Sequence, residues 1–517
     1  MNDAADHDLV IIGGGHNGLV AAAYLARAGL DVTVLEAGDR FGGAVASAQL
    51  FDGVEIRLSR FSYLVSLLPQ QIIDDLGLSL ELRSRRVASY TPAGDGGLLV
   101  ERVAGEATRA SFAAGPGLTA YEEFQALEAD LHRFATVVAP TLTQPLPTAD
   151  DLRQAVGEDL WHDLVERPIG ELIERRIGDD TVRGIVLTDA LIGTFAGAHS
   201  PELAQNRCFL YHVVGNGTGE WKVPVGGMGT VAAALEQSAR SAGATLRTGA
   251  EVVGLKPADD RVEVGLDDGE VITARTVLAN CAPVTLAGLL GQPGEQPEGA
   301  QVKINIVLRR LPAFRSGIDP RTGFAGTLHL HQGYGELERA YADATAGRVP
   351  DPLPCESYCH SLTDPSIVAA DLQEQGFHTL TIFGLHTPAR LFNHDHDQVR
   401  QQALDAALAS VQSALAEPLT DCIATDEHGE PCIEVMTPQD VEREARLPGG
   451  QIFHGDLAWP WLADGESPAT AADRWGVATS HPSILLCGSG ARRGGAVSGL
   501  GGHNAAMAVL EARGLAG

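Results

Sequence analysis

DLVIIGGGHNGLVAAAYLARAGLDVTVLE, residues 8–36, is the stretch from which the rest of the chain takes its meaning. Leu9-Val10-Ile11-Ile12 is a short apolar run of the kind that forms a strand buried on both faces. Three glycines follow, then the alanine-rich segment Leu19 to Ala28, which has the composition of a helix and a stop at Gly29. Val32 to Leu35 reads as a second strand. Strand, glycine turn, helix and strand in this order make a parallel α/β unit.

Gly13, Gly15 and Gly18 are spaced as G-x-G-x-x-G. In such a loop the first glycine allows a tight turn, the second lets the backbone approach a pyrophosphate, and the third lets helix and strand pack closely. The helix N-terminus adds unpaired N–H groups that attract an anion. Glu36 ends the second strand, where its carboxylate can accept hydrogen bonds from ribose hydroxyls. Its charge would repel a 2′-phosphate, which disfavours NADP at this site. The continuation Glu36-Ala37-Gly38-Asp39-Arg40-Phe41-Gly42-Gly43 supplies a basic residue and a flexible loop where a diphosphate would run on towards a second ring system.

Two further stretches have the same character. Gly226-Gly227-Met228-Gly229 leads into a predicted helix over Thr230–Ser241, ended by Gly243. Strands are expected over Thr245–Leu255 and Arg261–Leu266, then a hairpin turn at Asp267-Asp268-Gly269 and a strand from Val271 to Leu278 that runs into Ala279-Asn280-Cys281-Ala282-Pro283. Near the end, Ile484 to Cys487 reads as a strand, Gly488 to Gly502 is glycine-rich, and His503 to Ala512 is helical. The expected fold is α/β: a discontinuous Rossmann-like domain with a β-meander, over residues 1–70, 222–300 and 446–517. Residues 71–221 and 301–445 mix helix and strand signals with many prolines and are expected to form a mixed α+β substrate domain.

The chain has 517 residues, 37 Lys+Arg and 67 Asp+Glu, for a net charge of −30. That charge opposes general attraction to nucleic acid, so no nucleic-acid partner is expected. No apolar run approaches the ~18 residues of a transmembrane segment, although peripheral membrane contact stays open. The start, MNDAADHD, lacks the apolar core of a secretory signal, which points to a cytoplasmic protein. Seven scattered cysteines read as reduced thiols. Cys355, Cys359 and His360 have no second pair at finger-like spacing, and His329/His331 and His394/His396 lack a third ligand, so no metal site is expected.

Together with ILLCGSGARRGGAVSGLGGHNAAM at 484–507, these motifs resemble flavoproteins of the phytoene desaturase and flavin amine oxidase superfamily. Within it the chain is most similar to the branch typified by pyridine nucleotide-disulphide oxidoreductase domain-containing protein 2. Matching pieces include Ser59-Arg60-Phe61-Ser62-Tyr63-Leu64, Gly226-Gly227-Met228-Gly229, Lys303-Ile304-Asn305 and Leu447 to Gly455, so the resemblance spans most of the length. It implies FAD as cofactor and an FAD-binding role for the discontinuous domain. By the same resemblance Gly13, Gly15, Gly18, Glu36, Arg40 and Gly43 hold the ADP half, and Val252 meets adenine through its backbone. Gly488, Gly495, Ala496 and Val497 would lie against the flavin, with a backbone N–H near its pyrimidine oxygen. Those glycines also suit close backbone packing alone. There is no C-x4-C pair, so disulphide reductase chemistry is not expected.

Two residues are candidates for catalysis. In Gln301 to Leu308 the residues 302, 304, 306 and 308 form an apolar face, and Lys303 shares the other face with Asn305. Lys303 reads either as an exposed lysine on an amphipathic strand or, by resemblance, as the flavin-facing lysine that holds a water beside flavin N5 in amine oxidases. His454, in the glycine-flanked loop 449–455, reads as a general base near neutral pH, a polar anchor for substrate, or a hydrogen-bonded loop residue. Trp459 and Trp461 suit an apolar tunnel or core packing. The resulting expectation is an FAD-dependent oxidoreductase that moves hydride from a C–H of a small, largely apolar substrate to flavin N5, with O2 or a quinone as acceptor. A flavin-dependent isomerase, an amine oxidase, a carotenoid desaturase and a non-enzymatic escort or scaffold protein are the alternatives. A homodimer remains open.

Overall fold

In the computed structural model the described residues are 7–65 and 67–515, so most of the acidic N-terminal segment lies outside them. Two seven-stranded sheets organise the chain. In the first, His7–Ile12 pairs in parallel with Val32–Leu35 on one side and Val271–Ala279 on the other. Leu9, Val10 and Ile11 are wholly buried, as their unbroken apolar run requires. Thr245–Arg247 extends this sheet beyond Val32–Leu35. Val252–Pro257, Val262–Leu266 and Val271–Ala279 form an antiparallel meander. The last residues of Val271–Ala279 pair in parallel with Ile484–Leu486, so a segment from the far end of the chain completes the sheet.

Among the predicted boundaries that shift, three bear on the cofactor end of the fold. The glycine-loop helix begins at His16, directly after its N-cap Gly15, rather than at Leu19. The C-terminal helix begins at Leu500 rather than His503, and thereby includes Gly501 and Gly502. A Cβ on Gly502 would lie 2.0 Å from the Asn17 carbonyl oxygen, so the two helices meet backbone to backbone. The run expected as one strand over Thr245–Leu255 is broken at Gly249, whose φ is +61°. The Gly249 N–H donates to the Gly38 carbonyl (2.9 Å) and the Ala250 N–H to the Glu36 carbonyl (2.9 Å). This turn carries residues 250–252 alongside the end of the second strand.

The second sheet has the order Ile433–Met436, Val302–Leu308, His378–Gly384, Cys355–Tyr358, Thr327–Leu330, Val87–Ala93 and Gly96–Glu101. Every residue of Val302–Leu308 is buried, because strands flank it on both sides and both faces are covered. Helices Leu118–Val138, Asp180–Thr188 and Ala204–Val214 come from the first insertion. Leu127, Leu131, Phe134 and Val138 form the buried stripe of the longest of them. Among the described residues no helix is long and apolar enough to cross a membrane.

Candidate active site

A cavity of about 520 Å³, within the ~300–1,000 Å³ of ligand and cofactor sites, is walled at one end by the glycine loop and at the other by aromatic side chains. At the first end Gly13, Gly15, His16, Glu36 and Gly43 reach its surface, with Ala250 and Val252 beside them. The Glu36 carboxylate accepts the N–H of Gly14 on one oxygen (2.8 Å) and that of Gly38 on the other (2.7 Å). Each oxygen keeps a lone pair for a further donor. The helix after Gly15 has no side-chain cap, so among the described residues its first N–H groups are left without a partner. Gly18 does not reach the wall; a Cβ there would lie 2.4 Å from the Gly13 carbonyl oxygen, which is the close helix–strand packing expected of it.

Arg40 departs from expectation. It is exposed and lies outside the cavity wall, whereas Arg446, paired with Glu251 at 2.9 Å, reaches the wall near this end. Gly488 and Gly495 also lie outside the wall. A Cβ on Gly488 would come within 2.8 Å of the Asn280 carbonyl oxygen, and one on Gly495 within 2.2 Å of the Tyr211 ring, so both serve close packing. Their neighbours Ser489, Ala496 and Val497 face the cavity instead. The Ala496 N–H donates to the Tyr211 hydroxyl oxygen (2.6 Å), and the Ala496 carbonyl accepts from His16 Nε2 (2.9 Å). Burial drives His16 down to about 4, so the ring is neutral at pH 7 and Nε2 carries its proton. Among the described residues the Val497 N–H has no partner. An uncapped helix end for a diphosphate, a fixed carboxylate for a ribose and an unspent N–H for an anionic ring together fit FAD.

Comparison with known proteins decides the matter: the model of the flavin containing amine oxidoreductase family matches residues 18–307. The chain belongs to that family. An uncharacterised protein of Mycobacterium tuberculosis (strain ATCC 25618 / H37Rv) is 50% identical over 98% of this chain and 97% of its own. Pyridine nucleotide-disulfide oxidoreductase domain-containing protein 2 of Mus musculus is 30% identical over 98% and 94%. Among solved structures, a redesigned putrescine oxidase superposes with a TM-score of 0.60 at 18% identity, covering 98% of each chain, and so shares the fold. This flavoenzyme is an FAD-dependent oxidoreductase.

At the other end of the cavity Lys303 is 4% exposed, which overturns its reading as a surface lysine. Its Nζ donates to the carbonyl oxygens of Ser59 (2.7 Å) and Phe61 (2.8 Å), and lies 5.3 Å from the Phe383 ring centre and 5.8 Å from that of Tyr63. Burial brings its pKa down to about 7, against the opposing charge of Glu434. Glu434 is itself held by Arg60 (2.9 Å) and by the Asn305 amide (2.9 Å). His454 also reaches the wall, with φ +65° and a buried Nδ1 that has no partner. Burial and the neighbouring His16 push it to about 4, so at pH 7 it is a neutral ring rather than a base titrating near neutrality.

The sequence reading missed the aromatic wall of Tyr63, Tyr211, Trp221, Phe383 and Phe453. These residues come from five separate places in the chain and carry no shared spacing. Trp459 and Trp461 stack on each other (5.1 Å), and Trp461 meets Trp161 at a tilt (4.9 Å, 46°), outside this cavity. His329, His331 and His396 turn to separate partners: Gln332, Glu336 and Thr437.

Proposed function

We propose that this flavoenzyme takes a hydride from a C–H of a small, largely apolar substrate and a proton from the neighbouring atom, leaving a double bond. In this reading residues 1–70, 222–300 and 446–517 hold the cofactor, and residues 71–221 and 301–445 hold the substrate. Bound FAD supplies the hydride acceptor, with O2 or a quinone as the final oxidant. The observation that carries the proposal is the buried Lys303 at the cavity wall. When neutral, its amine gives both hydrogens to the Ser59 and Phe61 carbonyls and keeps its lone pair free. That lone pair can hold a water or receive the proton that leaves with the hydride. The aromatic wall excludes water and suits an apolar substrate. The free Val497 N–H would favour negative charge on the ring beside it. His454 would offer a neutral imidazole to a polar substrate group.

Anaerobic mixing with a panel of small apolar compounds, watching the flavin band bleach, tests the reading. Lys303→Met should keep FAD but slow flavin reduction or reoxidation; unchanged rates for both would remove Lys303 from the mechanism. Oxidation of a C–N bond is a second reading, favoured by the match to the flavin containing amine oxidoreductase family, and bleaching by amines alone would select it.

A further inference from the structure

A second cavity, of about 330 Å³, lies between the outer strands of the second sheet and the helices Leu118–Val138, Asp180–Thr188 and Ala204–Val214. Ile192 and Trp221 face both cavities, so the two are neighbours. Unlike the first, this one is charged. Arg85 precedes the strand Val87–Ala93 and Arg102 follows its hairpin partner Gly96–Glu101, so the hairpin base brings both guanidinium groups to one wall.

Arg85 is 6% exposed, yet its Nε has no partner and its Nη1 has only a long contact of 3.4 Å to the Thr327 hydroxyl. Its guanidinium also lies over the Tyr358 ring at 5.6 Å. Arg102 Nε is likewise buried and unpartnered. Among the described residues neither arginine makes an ion pair. A buried cation without a partner is costly, and folds keep one where something anionic meets it.

Among the described residues none of the four acids on the same wall, Glu101, Glu128, Asp189 and Glu356, comes within ion-pair distance of either arginine. Glu356 spends its two oxygens on the hydroxyls of Thr188 (2.8 Å) and Tyr358 (2.6 Å). Burial, then repulsion from Glu356 and Glu128, pushes Asp189 up to about 8, so it is largely protonated at neutral pH. Glu128 is raised by burial as well, with the charge of Arg102 pulling the other way. Glu101, the fourth acid on the wall, is taken up by Thr108, whose N–H and hydroxyl both donate to its Oε2 (3.2 Å each).

We propose that this second cavity binds the carboxylate of the substrate through Arg85 and Arg102, with the apolar remainder passing Ile192 and Trp221 into the aromatic cavity. The preferred substrates are then apolar monocarboxylic acids, in a chain whose overall charge of −30 would otherwise repel them. The site deepens the proposed function and rests on it only for the fate of the ligand, not for its binding.

Calorimetric titration of the FAD-loaded protein with 4-phenylbutanoate, 4-phenylbutylamine and 4-phenylbutanol tests it. The acid should bind at least about ten-fold more tightly than the other two, and Arg85→Met or Arg102→Met should cost the acid about ten-fold or more while leaving the alcohol unchanged. Tighter binding of the amine, or equal binding of the acid by both variants, would overturn the proposal. Flavin content and unfolding midpoint report whether each variant folds. If neither does, the ranking of the three compounds on the unaltered protein decides alone. Because calorimetry needs no turnover, binding of the acid without bleaching by any compound would count against the hydride reading and leave this site standing.

Discussion

Replacing Lys303 by methionine removes a buried amine whose pKa is about 7 in the folded protein, against an ordinary value of 10.5. The folded value lies below the unfolded one, so folding releases a proton at any pH between them. The charge therefore costs stability in full below pH 7, and the cost fades as pH rises towards 10.5. From about pH 6 to about pH 9 the unfolded amine stays protonated while the folded amine loses its proton. Integrating the difference gives roughly 2 pH units, or about 3 kcal/mol at ~1.4 kcal/mol per unit. Relative to the unaltered protein, Lys303→Met should be favoured at the acid end by about 2–3 kcal/mol more than at the alkaline end. Urea unfolding of both proteins at the two pH values measures this margin. A direct check uses lysine labelled with 13C at Cε, since the chain has only Lys222, Lys256 and Lys303 to resolve. The resonance missing from Lys303→Met should titrate near neutrality. A margin flat in pH, or a resonance that does not move there, would refute the burial argument.

Glu36→Ala leaves the N–H groups of Gly14 and Gly38 without their acceptor and removes the ribose partner, so FAD affinity should fall about ten-fold or more; flavin fluorescence on titration measures it, and undiminished affinity would sink the assignment. Gly502→Ala places a methyl 2.0 Å from the Asn17 carbonyl oxygen and should cost about 2–4 kcal/mol of stability, read as a lower unfolding midpoint and faster loss of flavin. Gly495→Ala combines φ +86° with a clash against Tyr211, so the Ala496 N–H should lose its partner and the flavin spectrum should shift. Glu434→Gln removes the charge that opposes Lys303's desolvation, and the Lys303 resonance should titrate at lower pH than in the unaltered protein.

The cofactor end was legible because its logic is local. Turn, helix end and strand end lie within the residues 8–43, and each glycine's role follows from backbone geometry at that position. The break at Gly249 was not legible, since the carbonyls that receive it belong to Glu36 and Gly38, far away in sequence. Alternation in Val302–Leu308 placed Lys303 on the less apolar face, but alternation cannot say whether that face meets water or the loop from Ser59 to Phe61. Arg40 stood at the expected spacing, yet its side chain turns to solvent. The aromatic wall is assembled from distant segments and the arginine pair from the two ends of one hairpin, and no period or motif announces either of them.

The closing of the first sheet by Ile484–Leu486 has a consequence for the order of events during synthesis. The glycine loop leaves the ribosome hundreds of residues before the segment at Ser489, Ala496 and Val497. Until then the loop has no opposite wall, and His16 lacks the carbonyl of Ala496, 480 residues away. A growing chain thus lacks the wall that encloses the cofactor until this segment joins the sheet. Capture of the cofactor is then a late, post-translational event, and flavin supply at that moment would decide how many finished chains reach the closed form.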